Sequence, residues 1–210
     1  MCEQAPLYVL RHGETEWNRE GRIQGARDSA LTERGRTQAA AMGRALATEL
    51  ECSPGPTIFL RSPLGRTRET SVIVGRSLGL DPSSWRDDRR LAEFCYGDWE
   101  GLTWPEIEAE RPRAYAGWRA DPEAFMAPAG ESHLDLQWRS ASVLSDIARS
   151  AIRTVIVGHG VSGAVLRGLY LGLDARAGLA LKKPQDAFFR LQDGGEVAIG
   201  ADHDHADRAA

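Results

Sequence analysis

The first apolar segment of the chain passes directly into charged and polar residues, in the order Leu7-Tyr8-Val9-Leu10-Arg11-His12-Gly13-Glu14-Thr15-Glu16-Trp17-Asn18. Its four leading apolar residues predict a short buried strand. Ligands of an open α/β sheet bind in the crevice outside the carboxyl ends of its strands, which is where Arg11 and His12 fall. Arginine is a fixed cation, and histidine can act as a base, a ligand or a nucleophile. The sequence therefore predicts a functional site at this strand end, where Gly13 lets the backbone turn.

Two further predicted strands end in residues of the same kind. Residues 57–60 are largely apolar and lead to Arg61, and residues 154–157 are followed by Gly158 and His159. Because parallel strands present their carboxyl ends at one edge of a sheet, we expect these side chains to gather at a single crevice.

A helix start follows the second of these strands. Ser62 and Pro63 predict it, with Ser62 as the N-cap and Pro63 at the first helical position. Arg66 would then lie about one turn inside a helix whose positive end faces the crevice. Two histidines, two arginines and a helix N-terminus at one point are typical of a site for a dianion, and a phosphate monoester is the obvious candidate.

The alternation of strands with single helices predicts the fold class. We expect an α/β protein, a three-layer α/β/α sandwich whose largely parallel sheet carries helices on both faces. Residues 188–192 and 196–199 predict a C-terminal antiparallel hairpin. The helical pattern from Trp104 to Arg149, broken at three prolines, predicts an insertion of about residues 95–150 that caps the site.

Length, composition and charge limit the class of protein. The 210 residues are 42% hydrophobic, which predicts one domain over residues 1–200, and the polar residues 201–210 predict a disordered tail. A net charge of −4 gives no reason to expect nucleic acid or an anionic membrane as partner. Three cysteines without paired spacing, no room for a signal peptide and no membrane-length apolar run predict a cytoplasmic location.

Four motifs, in order along the chain, resemble those of the histidine phosphatase superfamily, also called the phosphoglycerate mutase-like family. They are residues 11–18, residues 62–67, residues 91–101 with Glu93 and the Gly97-Asp98-Trp99-Glu100-Gly101 segment, and residues 157–160. The resemblance runs from about residue 7 to about residue 192, and it implies the same three-layer architecture.

The resemblance also implies roles for individual residues. His12 would be the nucleophile that forms a phosphohistidine, and Arg11 and Arg66 would hold the nonbridging oxygens. His159, if protonated, would be a third cation. Glu93 would be the general acid, with a pKa raised by partial burial, and afterwards the general base. The family positions that line the phosphate or substrate pocket correspond to Asn18, Gln24, Gly25 and Gly160.

Other interpretations of these residues remain open at this stage. His12 could be a structural histidine, Arg66 an exposed helix arginine and Glu93 a surface glutamate. Arg61 departs from the family pattern. Its side chain could point away from the site or contact the distal part of an acidic substrate, and we expect the second. The tryptophans are expected to pack in the core or the cap, with Trp17 and Trp104 as candidates for the site.

Alternative activities are also open. The Gly97–Gly101 segment and the 66 positions from Glu93 to His159 favour a phosphatase acting on a small phosphorylated metabolite over a mutase. A mutase needs more cations in its cap, for which Arg111 and Arg113 are available. A non-catalytic phospho-ligand binding protein on the same fold is the third possibility. The sequence leaves the oligomeric state open between monomer and homodimer.

We expect no metal and no other cofactor. No cysteine is followed six positions later by arginine, as a cysteine phosphatase needs, and neither lysine follows a glycine, as a P-loop needs. His12 and His159 lack an obvious third zinc ligand. His203 and His205 could bind a metal weakly, but we expect this tail to be solvated.

Overall fold

The predicted strands pair into one six-stranded sheet in the computed structural model, which describes residues 5–52 and 55–200. The strands are Leu7–Arg11 (β1), Thr57–Arg61 (β2), Trp85–Asp87 (β3), Arg153–Gly158 (β4), Ala187–Gln192 (β5) and Gly195–Gly200 (β6). Their order across the sheet is β3-β2-β4-β1-β5-β6. β1, β2, β3 and β4 run parallel, and β5 and β6 are antiparallel additions beside β1.

The register of the parallel strands places the predicted site residues at one edge. Arg11 lies opposite Gly158 across β1 and β4, and Arg61 lies opposite Val157 across β2 and β4. The carboxyl ends of β1, β2 and β4 therefore lie side by side at one edge of the sheet. The residues that follow these strands enter the same crevice, as the sequence predicts.

Helices cover both faces of the sheet. They are Glu16–Glu20 (α1), Glu33–Glu51 (α2), Gly65–Ser77 (α3), Trp104–Glu110 (α4), Pro112–Ala120 (α5), His133–Ser150 (α6), Val161–Tyr170 (α7) and Ala175–Ala180 (α8). Tyr8 and Leu10 pack with Met42 of α2 on one face, and Val9 packs with Val143 of α6 on the other. This alternation follows from the two-residue period of a strand, and it confirms the three-layer fold.

The helix α2 follows from its local sequence. Thr32 is the N-cap, and its hydroxyl accepts a hydrogen bond from the Gly35 N–H at 3.0 Å. Ala39, Met42 and Leu46, spaced by three and four positions, are all buried. Burying a methionine or leucine side chain of this kind stabilises the fold by about 1.5–3 kcal/mol, so this face holds α2 on the sheet.

The predicted start of α3 is wrong. The helix begins at Gly65, its N-cap is Leu64, and Arg66 is the second helical residue. The Asp28 carboxylate accepts hydrogen bonds from the N–H groups of Gly65 and Arg66, so this carboxylate satisfies the helix N-terminus in place of a Ser62 cap. The Ser62 hydroxyl is instead within 2.7 Å of a ring nitrogen of His159.

Other boundaries also differ from prediction. The helix α1 ends at Gly21, which is in the left-handed conformation. The short strand β3 and the helix α8 have no counterpart in the sequence analysis. The C-terminal hairpin is confirmed, and positive φ at Asp193 and Gly194 is what a type I′ turn requires.

The insertion that covers the crevice is shorter than the predicted residues 95–150. Ile23, Trp99 and Ile107 form its core, which continues to Phe125 and Ala127. The helix α6 instead lies along the sheet, because its apolar face packs on β1 and β4. The predicted tail of residues 201–210 lies outside the described residues, and so does Cys2.

Among the residues that the structure describes, no helix is long and apolar enough to cross a membrane.

A close backbone contact joins α2 to the motif that carries His12. A Cβ built on Gly35 would lie 2.0 Å from the Glu14 carbonyl oxygen, and one built on Gly13 would lie 2.1 Å from the Gly35 carbonyl oxygen. Both positions therefore need glycine, since backbone atoms cannot yield to a side chain as a rotatable group can.

Replacing Gly35 by alanine is expected to destabilise the protein, although alanine favours helices by about 1 kcal/mol over glycine. The overlap with Glu14 should outweigh that preference and lower the free energy of unfolding by about 1–3 kcal/mol, measured by urea denaturation. Gly117→Ala in α5 is the control, because its Cβ would meet only the Phe125 ring at 3.7 Å. Equal stability of the two variants would contradict this account of the α2 contact.

Candidate active site

His12 lies buried just beyond the end of β1, with 2% of its surface exposed. Its Nδ1 is 2.8 Å from the Gly13 carbonyl oxygen, which can only accept, so Nδ1 carries a proton and donates it. In the neutral ring the lone pair is then on Nε2. The Arg66 Nε–H donates to this Nε2 at 3.3 Å. The backbone thus fixes both the orientation and the tautomer of the imidazole.

The surroundings of His12 keep its ring uncharged. Burial, and then the Arg11 and Arg66 guanidinium groups, hold the pKa of His12 well below its ordinary value of about 6.5. A neutral imidazole with a free Nε2 lone pair is the form that can attack phosphorus.

His159 faces His12 edge to face, with 5.3 Å between the ring centroids. Its Nε2 is hydrogen-bonded to the Ser62 hydroxyl at 2.7 Å, and its buried Nδ1 has no partner among the described residues. Burial and the Arg66 guanidinium hold the pKa of His159 well below its ordinary value as well. The structure therefore favours a neutral His159. Its predicted role as a third cation requires a protonated ring, which these surroundings disfavour.

Arg11 supplies a buried cation beside the two histidines. Its Nη1 donates to the Lys183 carbonyl, and its Nε has no partner among the described residues. No carboxylate of these residues lies within 4.0 Å of the Arg11 guanidinium as an ion pair. Burial is the main cause that lowers the pKa of Arg11. A Cβ built on Gly160 would lie 3.4 Å from the guanidinium carbon, so Gly160 leaves room for this side chain.

Arg66 is 2% exposed, so its interpretation as an exposed helix arginine is wrong. Besides its bond to His12, it donates to the carbonyls of Gly25 at 2.8 Å and Arg27 at 2.6 Å and to the Asp28 carboxylate at 3.0 Å. The planar guanidinium is therefore fixed on three sides, and one side of it faces the nucleophile.

Glu93 is bound by the N-terminus of α7. Its carboxylate accepts four backbone hydrogen bonds, at 2.8–3.1 Å, from the N–H groups of Phe94, Gly160, Val161 and Ser162. Glu93 thus lies in an anion-binding position at a helix N-terminus, and its interpretation as a surface glutamate is wrong. A proton donor must turn one oxygen away from these N–H groups, so the general-acid role predicted for Glu93 requires a different rotamer.

The side chains predicted for the site surround one cavity of about 240 Å³. Seven of the nine residues predicted for the site line this cavity directly: Arg11, His12, Asn18, Gln24, Gly25, Arg66 and Glu93. His159 and Gly160 contact His12 and Arg11 from behind. Trp104, one of the two candidate tryptophans, also lines this cavity.

The loop of residues 21–28 forms one wall and depends on Gly25. This glycine has φ of +53°, and a Cβ there would lie 2.0 Å from the Glu100 carboxylate. Glu100 is buried and accepts from the N–H groups of Ala26 and Arg27, so it holds the loop beneath Arg66. Gln24 donates to the Thr15 hydroxyl at 2.7 Å, and its buried Oε1 has no partner among the described residues.

Sequence analysis missed the residues that hold the site together. Asp28 binds Arg66, and Gln185 donates to the His12 carbonyl at 3.2 Å and to the Asn18 side chain at 3.0 Å. Arg139 of α6 donates to the carbonyl of Glu93 at 3.2 Å and to those of the residues before it. Each of these is a polar residue in a loop or on a helix, with no local pattern that distinguishes it from a surface residue.

The expectation that Arg61 contacts the substrate is wrong. Its Nε donates to the Asp87 carboxylate at 2.7 Å, and its Nη1 donates to the Ser71 hydroxyl at 3.0 Å. Arg61 is thus engaged at the β2–β3 edge and does not line the cavity. Side chains alternate along a strand, and Arg61 falls on the α3 face.

Two other features bear on the location of the site. A larger cavity of about 630 Å³ lies at the amino end of β1, but its lining contains no histidine, arginine or carboxylate among the described residues. Within residues 5–52 and 55–200, no group of three or more histidine, cysteine, aspartate or glutamate side chains is placed to hold a metal ion. His203 and His205 lie outside this part of the chain.

The family model described as histidine phosphatase superfamily (branch 1) matches residues 7–192. The chain belongs to this superfamily. It is 40% identical over 145 residues to glucosyl-3-phosphoglycerate phosphatase of Mycobacterium tuberculosis, a match that covers 69% of this chain and 60% of that relative. It is 32% identical to a protein of Salmonella paratyphi C named "Probable phosphoglycerate mutase", over 97% of this chain and 96% of the relative.

A solved structure of a relative has the same fold. Mycobacterial glucosyl-3-phosphoglycerate phosphatase in complex with VO3 aligns with a TM-score of 0.76 and 32% identity, covering 89% of this chain and 90% of the other.

The buried neutral histidines should make stability depend on pH. Below about pH 6.5 the unfolded chain protonates His12 and His159, whereas the folded state resists because both pKa values are lowered by burial. We expect the free energy of unfolding to decrease by up to roughly 1 kcal/mol per pH unit for each ring as pH decreases from 6.5 to 5.5. Urea titrations at several pH values measure this slope.

His12→Gln is the matched variant for this prediction, since glutamine keeps a polar side chain that does not titrate. The slope in this pH window should be smaller in the variant than in the wild type. An identical slope would show that the His12 imidazole already takes up a proton in the folded protein, contrary to the structure.

Proposed function

We propose that the protein is a phosphatase, a phosphomonoester hydrolase that acts on a small phosphorylated metabolite through a phosphohistidine at His12. The observation that supports it best is a buried, uncharged imidazole whose Nε2 lone pair lies at the wall of a cavity, between two guanidinium groups. Guanidinium groups favour a phosphate dianion, and a neutral nitrogen beside them can attack its phosphorus.

In the first step the phosphate group replaces the Arg66 contact at His12 Nε2. The nitrogen lone pair forms a bond to phosphorus, and the ester P–O bond breaks. Arg11 and Arg66 hold the nonbridging oxygens, where charge is spread in the transition state. Glu93, turned away from the α7 N-terminus with a proton on its carboxyl, gives that proton to the departing alcohol.

In the second step Glu93, now a carboxylate, takes a proton from a water molecule that attacks the phosphohistidine. The P–N bond breaks, inorganic phosphate leaves, and the pair of electrons returns to Nε2. The Gly13 carbonyl keeps Nδ1 protonated in both steps, so the same ring nitrogen serves in every cycle.

The relatives support hydrolysis, and one of them also supports an alternative. The M. tuberculosis protein bears the name of a phosphatase, but the match spans 60% of its length, so its substrate is not transferred to this chain. The Salmonella protein bears the name of a mutase. Arg111 and Arg113, the cap cations considered for a mutase, do not line the described cavity, which favours hydrolysis. Retention of all predicted reacting residues disfavours a binding protein without activity.

Replacing His12 by alanine should abolish phosphate release from p-nitrophenyl phosphate, with a loss on the order of 10³-fold or more in kcat, because no other group can accept the phosphoryl group. Rapid quenching of the wild type with labelled substrate should trap label on His12, located by peptide mapping. Arg61→Ala is the control, and it should retain activity, because Arg61 pairs with Asp87 outside the cavity.

Label on another side chain, or activity that persists in His12→Ala, would contradict the mechanism. The mutase alternative is separated by supplying 3-phosphoglycerate with a bisphosphate primer. Rapid formation of 2-phosphoglycerate without free phosphate would overturn hydrolysis in favour of isomerisation.

Glu93→Gln tests the proton donor. With an alkyl phosphate, whose alcohol must be protonated to leave, kcat should decrease about 100-fold or more. With p-nitrophenyl phosphate, whose phenolate leaves without a proton, the decrease should be much smaller. Equal losses with both esters would indicate that Glu93 only anchors α7 and that another group supplies the proton.

A further inference from the structure

A second cavity, of about 210 Å³, adjoins the first. Tyr96 and Val161 line both cavities, so the second lies directly beside the space that holds His12 and Glu93. We name it the leaving-group chamber and define it by the six side chains Phe94, Tyr96, Trp118, Phe125, His133 and Lys183.

The walls of the leaving-group chamber are mostly aromatic. Phe94 and Tyr96 meet edge to face, with 4.9 Å between their centroids. Trp118 stacks on Trp104 at 4.0 Å, and Trp104 lines the cavity that holds His12. Aromatic side chains therefore line the chamber and also the neighbouring cavity that holds His12. Such a wall offers flat apolar contact and few partners for hydroxyl groups.

The chamber also contains an unsatisfied polar group. His133 is 5% exposed, and its Nε2 is buried without a partner among the described residues. This nitrogen is a single polar point on a mostly apolar wall. Lys183, at the same wall, is held by the Leu179 and Leu181 carbonyls. The chamber is thus apolar over most of its surface and polar at these two residues.

We propose that the leaving-group chamber binds the alcohol portion of the substrate, and that the substrates are phosphomonoesters of alcohols that carry a ring-sized apolar body. This inference rests on the proposed function. With the phosphate between Arg11 and Arg66, the ester oxygen lies on the Glu93 side, and the body of the alcohol extends past Tyr96 and Val161. Small or polyhydroxylated alcohols leave the aromatic wall uncovered and bind less well.

The test compares 3-phenylpropyl phosphate with propyl phosphate. The two alcohols have nearly equal basicity, so the intrinsic reactivity of the esters is matched and only the phenyl ring differs. We expect kcat/KM to be at least about tenfold higher for the phenyl ester. Burial of a ring of this size stabilises the bound transition state by at least the free energy that a tenfold ratio requires.

Variants locate the preference in the chamber. Trp118→Ala should reduce the ratio of the two kcat/KM values to within about threefold of one. Leu179→Trp, which fills the chamber from α8, should reduce the same ratio if the first variant does not fold. Trp138→Ala is the matched control, because Trp138 is 72% exposed on α6 and lies outside both cavities, and it should leave the ratio unchanged.

The outcomes separate this inference from the function on which it rests. Equal kcat/KM values for the two esters in the wild type would overturn the chamber as a leaving-group site while leaving the phosphatase intact. A preference that survives both chamber variants would also overturn it. Hydrolysis of neither ester would count against the proposed function itself.

Discussion

The structure depends on keeping two guanidinium groups buried beside two uncharged imidazoles. Arg11 and Arg66 repel each other and lower the pKa of His12 together with burial. Burying such charges is costly unless each donor finds an acceptor. Backbone carbonyls supply most of these acceptors, from Lys183 for Arg11 and from Gly25 and Arg27 for Arg66. The loops that carry these carbonyls are therefore constrained by the site, as well as forming its walls.

Backbone carbonyls also accept hydrogen bonds from an arginine around Glu93. Arg139 donates to the carbonyls of Arg90, Ala92 and Glu93 at distances of 2.6–3.2 Å, and it forms an ion pair with Glu131. Arginine suits this work better than lysine, because its rigid fork can bridge several carbonyls while lysine presents a single point charge. Arg66 and Arg139 therefore fix loops that carry residues of the site.

The sheet edge could be predicted from sequence because its signals are local. Leu7–Leu10 is apolar over four residues and Arg11 and His12 follow at once, so the strand and its end are both visible. The supports of the site could not be predicted, because they come from contacts distant in sequence. Asp28 lies 38 positions from Arg66, and Gln185 lies 167 positions from Asn18. Ser62 shows how a local signal can mislead. The distant Asp28 carboxylate binds the N-terminus of α3 in its place, and the Ser62 hydroxyl is hydrogen-bonded to His159.

Carboxylates occupy the N-termini of two helices near the cavity, Asp28 at α3 and Glu93 at α7. The positive charge that a phosphate would meet therefore comes from guanidinium side chains, and not from helix dipoles as the sequence suggested. This arrangement gives Glu93 two competing positions. Three N–H groups at the α7 N-terminus stabilise its carboxylate, whereas proton transfer to a leaving group requires it to face the cavity.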